Sequence, residues 1–236
     1  MRTANPFKGR HFEGELILLG VRWYLRYALS YRDLEEMMQE RGLSVDHATV
    51  YRWVQHYAPE LDKRCRPHLT STTDSYRVDE TYIKVKGQWK YLYQAVDSEG
   101  HTLEFMLSAK RDAQAAKRFF RKVLQASHTT PPRVITVDKN AAYPKAFDEL
   151  QQEGYLPATE PLRQVKYLNN VVEPDHRFIK RLVKPGLGFG SFHTAWRTLR
   201  GYEVRHMIRK GQVREVARGD VVAQSQFIAR LFGIAA

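Results

Sequence analysis

Three carboxylates stand where they could meet although they lie far apart in the chain: Asp79, Asp138 and Glu173. Asp79 interrupts the β-like run from Tyr76 to Val85. Asp138 ends the short apolar run Arg133 to Val137, and Glu173 opens a helical pattern. Oxygen-only ligands suit Mg²⁺ or Mn²⁺ rather than zinc. Two such ions, ~3.5–4 Å apart, can activate an attacking oxygen and stabilise a leaving oxygen in phosphoryl displacement. Three acidic ligands largely offset the charge of two divalent ions, so the metal set expected is Asp79, Asp138 and Glu173 with no organic cofactor. His176 and Lys180 share the helix face of Glu173. Lys180 suits a DNA phosphate, and His176 either orients DNA or packs. Glu80 points to the opposite strand face from Asp79. Asp97 reads as a turn residue, and Asp175 lies about 200° around the helix from Glu173.

The segment before these carboxylates reads as three helices. Glu15 to Leu29 carries Leu16, Leu19, Trp23 and Tyr27 at helical spacing. Ser30 followed by Asp33 is a near capping box for a second helix ending at Gly42. Asp46 can cap a third helix from His47 to about Tyr57. Two short helices joined by a tight turn match a helix-turn-helix, with a plain three-helix bundle as the alternative. In the motif, the second helix enters the major groove. The outward positions would then be His47, Thr49, Arg52 and Gln55. Arg52 suits guanine edges, Gln55 adenine, and Thr49 a thymine methyl. Pro59, Pro67 and the polar run Thr70 to Ser75 read as a linker.

The period then changes. Arg77 to Val85, Lys90 to Asp97 and Thr102 to Ser108 read as strands joined by turns at Gly87 and Ser98-Glu99-Gly100. Asp112 can cap a helix from Ala113 to Ala126. Arg133 to Val137 lacks polar alternation, as a strand covered on both faces should. Helices over Ala142 to Glu153 and Val172 to Val183 flank a possible strand from Gln164 to Tyr167. Helices over His193 to Lys210 and Val221 to Phe232 complete the chain. Three antiparallel strands, helix, strand, helix, strand, helix describe a mixed sheet with flanking helices. That is also the order of the ribonuclease-H-like fold. The expected fold class is therefore α/β, preceded by an all-α helix-turn-helix domain. The divisions are residues 1–70, a catalytic domain over 71–200, and a basic helical extension over 201–236.

Charge is unevenly spread over the 236 residues, whose net charge is +12. Residues 177–218 carry 11 Lys/Arg against 2 Asp/Glu, whereas residues 71–176 carry 15 against 14. A block of this kind, opening at Arg177, suits a polyanion such as nucleic acid; the alternative is a solvated basic helix. The longest apolar run is far short of the ~20 residues that cross a bilayer, so no membrane partner is expected. The single cysteine, Cys65, excludes a multi-cysteine zinc site and fits a reducing compartment. A cytoplasmic protein, associated with the nucleoid when bound to DNA, is expected. Val222, Phe227, Ile228, Leu231 and Phe232 form either a subunit contact or a core-packed tail.

The sequence resembles DDE transposases of bacterial insertion sequences, closely those of the insertion-sequence six family. The resemblance covers nearly the whole chain. It rests on NPFKGRHF (5–12), VDHATVYRWVQ (45–55), DETY (79–82), YLYQAVD (91–97), Asp138-Lys139, and NNVVEPDH (169–176) with Lys180. It implies a catalytic triad of Asp79, Asp138 and Glu173, with Lys180 as the basic residue seven positions on. Pro174 departs from the family pattern but is tolerated in a first helical turn. The resemblance further implies binding of double-stranded DNA at terminal inverted repeats, release of a 3′-hydroxyl and its transfer to target DNA. Replicative, cointegrate-forming transposition by a homodimer or larger assembly would follow. A DNA-binding regulator with an idle catalytic domain, or a nuclease that hydrolyses without joining, are the alternative readings.

Overall fold

The computed structural model describes residues 6–157, 161–165 and 169–234. Its elements run α1 (Gly14–Arg26), α2 (Tyr31–Gln39), α3 (His47–Cys65), β1 (Ser75–Val85), β2 (Gln88–Asp97) and β3 (Thr102–Ser108). They continue α4 (Ala113–Leu124), β4 (Val134–Val137), α5 (Ala142–Gln152), β5 (Leu162–Gln164), α6 (Glu173–Val183), α7 (Phe192–Lys210) and α8 (Val221–Leu231). They form two compact units, one from the described residues of Met1–Leu69 and Arg181–Ala236, the other from Thr70–Lys180.

The helical unit begins as its capping residues dictate. Ser30 Oγ accepts from Asp33 N while Asp33 returns to Ser30 N, closing a capping box at α2. Gly42 (φ 74°) permits the left-handed turn, and Asp46 caps α3 by accepting from Thr49 N. Pro59 does not end α3, contrary to the linker expected there. The helix absorbs the lost N–H because Leu61, Asp62 and Cys65 continue its buried stripe. Only residues after the short 3₁₀ turn at Arg66–His68 behave as a linker.

α7 packs along α3 and against α1. The three meet closely at Gly201, where a Cβ would lie 2.6 Å from both Ala58 Cβ and Leu25 Cδ2. The expected boundary at residue 200 is therefore not a domain boundary, since α7 crosses it as one continuous helix. The expected catalytic domain over 71–200 is likewise shorter, because residues 181–200 belong to the helical unit. The tail resolves toward packing: Phe227, Ile228 and Phe232 are buried, with Phe232 against Phe7 and Tyr57. Val221 and Val222 stay exposed.

The second unit holds a five-stranded sheet in the order β3-β2-β1-β4-β5. β1, β2 and β3 are antiparallel neighbours, while β4 lies parallel to both β1 and β5. This is the ribonuclease-H-like order expected. One core joins Tyr76 and Val78 of β1 to Phe119, Phe120 and Val123 of α4 and to Ala146, Phe147 and Leu150 of α5. Each large side chain so buried contributes about 1.5–3 kcal/mol. Asp112 caps α4 through Ala115 N. The expected fifth strand begins earlier, at Leu162, and its positions 166–167 lie outside the described residues.

Candidate active site and DNA-facing residues

Strand pairing brings Asp79 and Asp138 together. Arg77 pairs in parallel with Thr136 at the end of the β1–β4 ladder, and Asp79 and Asp138 each follow two residues later, near enough that the Asp138 charge acts on Asp79. Parallel partners point to the same sheet face. β1 is central, which half-buries Asp79, whereas Asp138 lies just past the last residue of β4. Burial first, then the charges of Glu80 and Asp138, push the Asp79 carboxyl up to about 7. Local turns hold both groups: Asp79 Oδ1 accepts from Glu80 N at 2.9 Å, and Asp138 Oδ1 from Asn140 N at 2.9 Å.

Glu173 enters from the first turn of α6. Its Oε2 is 3.7 Å from His176 Nδ1, which lies 3.9 Å from Asp79 Oδ2. His176 is 3% exposed, so it is not presented to DNA as one expectation had it. Burial pushes its imidazole down to about 4, against the opposing pull of Glu173. It is therefore a neutral group joining two carboxylates. Arg177 is exposed, with Nε 3.8 Å from Glu173 Oε1, and Lys180 is exposed on the same helix. Asp175 is buried and accepts from Thr102 Oγ1 at 3.2 Å, away from this cluster. Asp97 is spent on its turn, accepting from Thr73 N, Glu99 N and His101 N.

Arg111 was not legible in the sequence. It follows β3, and its Nη2 lies 3.3 Å from Asp138 Oδ2 while its Nε bonds Glu80 Oε1. Tyr143 donates to the other oxygen of Glu80. Despite the cost of partial burial, Glu80 and Asp138 raise the guanidinium above its ordinary value. A lone Arg before a helix cap carries no periodic signal, so only the fold reveals it.

Among the described residues, no three carboxylate or imidazole side chains are gathered as closely as a metal ion requires. The donor chemistry nevertheless fits a hard divalent cation. Asp79 and Asp138 are oxygen donors that repel each other, and a guanidinium already neutralises part of their charge.

In the helical unit, the exposed His47 has its Nδ1 2.8 Å from Oε2 of the half-buried Glu35. Thr49 Oγ1 donates to Asp46 Oδ2 at 2.7 Å and accepts from Arg52 Nη2 at 2.7 Å. Arg52 is thus exposed and held in place. Gln55 is not an outward reader: its Nε2 donates to Thr198 Oγ1 of α7 at 2.8 Å. The basic block is also partly internal. Arg200 Nη2 pairs with Asp62 at 2.7 Å, and the buried Arg205 bonds Gln224 at 2.9 Å. No helix among the described residues is long and apolar enough to cross a membrane.

A family model described as a DDE domain matches residues 73–212. Over 210 residues the chain is 40% identical to the transposase for insertion sequence-like element IS431mec of Staphylococcus aureus (strain Mu50), spanning 87% of this chain and 89% of that protein. The transposase for insertion sequence element IS257 in transposon Tn4003, from Staphylococcus aureus, matches at 40% over the same shares of both chains. Among solved structures, the HTLV-2 integrase catalytic core domain in complex with magnesium is 18% identical, with a TM-score of 0.40 over 50% of this chain and 73% of that one. The chain therefore belongs to the DDE transposases of bacterial insertion sequences, DNA strand transferases, in the insertion-sequence six family.

Proposed function

We propose that this transposase cuts at the ends of its insertion element and joins the freed 3′-hydroxyl to target DNA, with Asp79, Asp138 and Glu173 as catalytic carboxylates. The observation that carries this reading is the approach of Asp138, just past the end of β4, to Asp79 within β1, whose carboxyl is pushed up to about 7 by burial and by the charges of Glu80 and Asp138. Two Mg²⁺ or Mn²⁺ ions bound there would supply charge stabilisation to the attacking and leaving oxygens.

The chain's own residues position and neutralise. Asp79, Asp138 and Glu173 offer oxygens. Arg111 fixes Asp138, and neutral His176 links Asp79 to Glu173 without adding positive charge. Lys180 holds a DNA phosphate beside them. Arg52, braced by Thr49, reads base edges in a terminal inverted repeat, with His47 beside it. In the first step a water oxygen bonds to phosphorus and the 3′-oxygen of the element leaves. In the second that oxygen bonds to a target phosphorus and displaces the target's own 3′-oxygen. Neither step needs a protein nucleophile. Cutting one strand per end leaves the other attached to the donor, which leads to replicative cointegrates. Two ends require at least two copies of the chain.

Asp79→Asn, Asp138→Asn and Glu173→Gln are expected to abolish Mg²⁺-dependent nicking of repeat DNA while its gel shift persists. Full activity in any of them removes that residue from the site. A pre-cut end incubated with supercoiled plasmid should give joined product. Hydrolysis without joining would establish a nuclease, and binding without any nicking a regulator.

A further inference from the structure

We propose that the outer end of the β1–β2 hairpin is a platform for unpaired DNA bases, formed by Tyr82, Trp89 and Tyr91 with Lys84 at its edge. The inference rests on the DNA-processing reading above. Antiparallel pairing sets Tyr82 opposite Tyr91 and Lys84 opposite Trp89, so the four side chains stand on one sheet face. The same face is buried closer to the start of β1, at Tyr76, Val78 and Glu80, and opens only at Tyr82 and Lys84. Trp89 is 62% exposed and Tyr82 46%. The rings do not stack face to face: Tyr82 meets Trp89 edge-on at 6.5 Å and an interplanar angle of 80°, and Tyr91 at a tilt, at 5.4 Å and 54°. Edge contacts leave flat ring surface for a third partner.

Charge selects the occupant. From Thr81 to Val96 the chain carries Lys84, Lys86 and Lys90 and no acidic residue. Lys84 Nζ lies 6.0 Å from the Trp89 ring centroid. Exposed aromatic faces beside lysines match a strand whose bases stack while its phosphates meet cations. A duplex keeps its bases stacked internally and offers such rings little, so the partner is single-stranded or frayed DNA. The platform also adjoins the candidate site: the Tyr82 phenol is within electrostatic reach of Arg111, which contacts Asp138.

The test uses the full chain with two probes: a blunt inverted-repeat duplex, and the same duplex with a 3′ overhang carrying 2-aminopurine. Wild-type binding is expected to quench the overhang fluorescence. Trp89→Ala and Tyr82→Ala should lose most of that quench and weaken overhang binding at least about five-fold, as stacking contributions imply. Affinity for the blunt duplex should not change. Trp89→Phe, which keeps a ring and guards against misfolding, should retain most of the quench. Wild-type quench in both alanine variants overturns the platform. So does an equal loss on both probes, or a fall in oligomer mass by light scattering, which would mark a subunit interface. A wild-type chain that fails to bind the blunt duplex would instead refute the DNA reading itself.

Discussion

Arg111 Nη2 lies 3.3 Å from Asp138 Oδ2, so a fixed cation holds one of the candidate catalytic carboxylates. The same guanidinium bonds Glu80, whose side chain is only 1% exposed. Arg111→Ala strands that buried carboxylate and should cost about 3–5 kcal/mol. Glu80→Gln in the same chain should recover most of the loss, because the amide needs no counter-charge. Urea unfolding of the single and double variants checks this. Equal stability of the two variants would show that the pair is not coupled.

Asp79 sets a pH dependence in metal-free protein. Its ordinary value is 3.8 and its folded value about 7. Between these limits the folded state binds more protons than the unfolded state. Stability should therefore fall as pH rises from about 4 to 7, by at most about 1.4 kcal/mol per pH unit from this group. Asp79→Asn should remove that slope and be the more stable protein at pH 8. An unchanged slope in the variant would refute the assignment.

Two neighbours on α3 should behave differently. Arg52→Ala is expected to lose about 1–3 kcal/mol of discrimination at particular repeat positions. Gln55→Ala should leave that profile intact and cost about 1 kcal/mol of fold stability, since its amide bonds Thr198. Binding across a panel of mutated repeats, paired with thermal unfolding, distinguishes them. A changed base preference in Gln55→Ala would restore it as a reader.

Gly201→Ala should destabilise although alanine favours helix by about 1 kcal/mol. The added methyl would sit 2.6 Å from Leu25 and Ala58, and overpacking of this kind costs about 1–3 kcal/mol. A raised unfolding midpoint would contradict the close crossing of α1, α3 and α7.

Local chemistry was readable before the fold. Ser30 with Asp33, Asp46 and Asp112 each cap the helix expected of them, because a cap is decided within four residues. The alternation of β1 and the unalternating β4 likewise appear in the structure, in the expected sheet order. What was not readable depends on distant partners. Pro59 reads as a break until Leu61 and Cys65 are seen to be buried. Gln55 reads as exposed until α7, more than a hundred residues later, lies beside it. His176 could orient DNA or pack, and only the position of Asp79 decides that it packs.

The helical unit draws on both the early and the late parts of the chain, with the sheet unit between them. During synthesis the α3 surface bearing Gln55 and Ala58 lacks α7 until Lys210 has left the ribosome, and residues 70–180 must emerge first. A chain shortened before α7 would leave Leu25 and Ala58 without the α7 surface that packs on them at Gly201, and the helical unit would be incomplete.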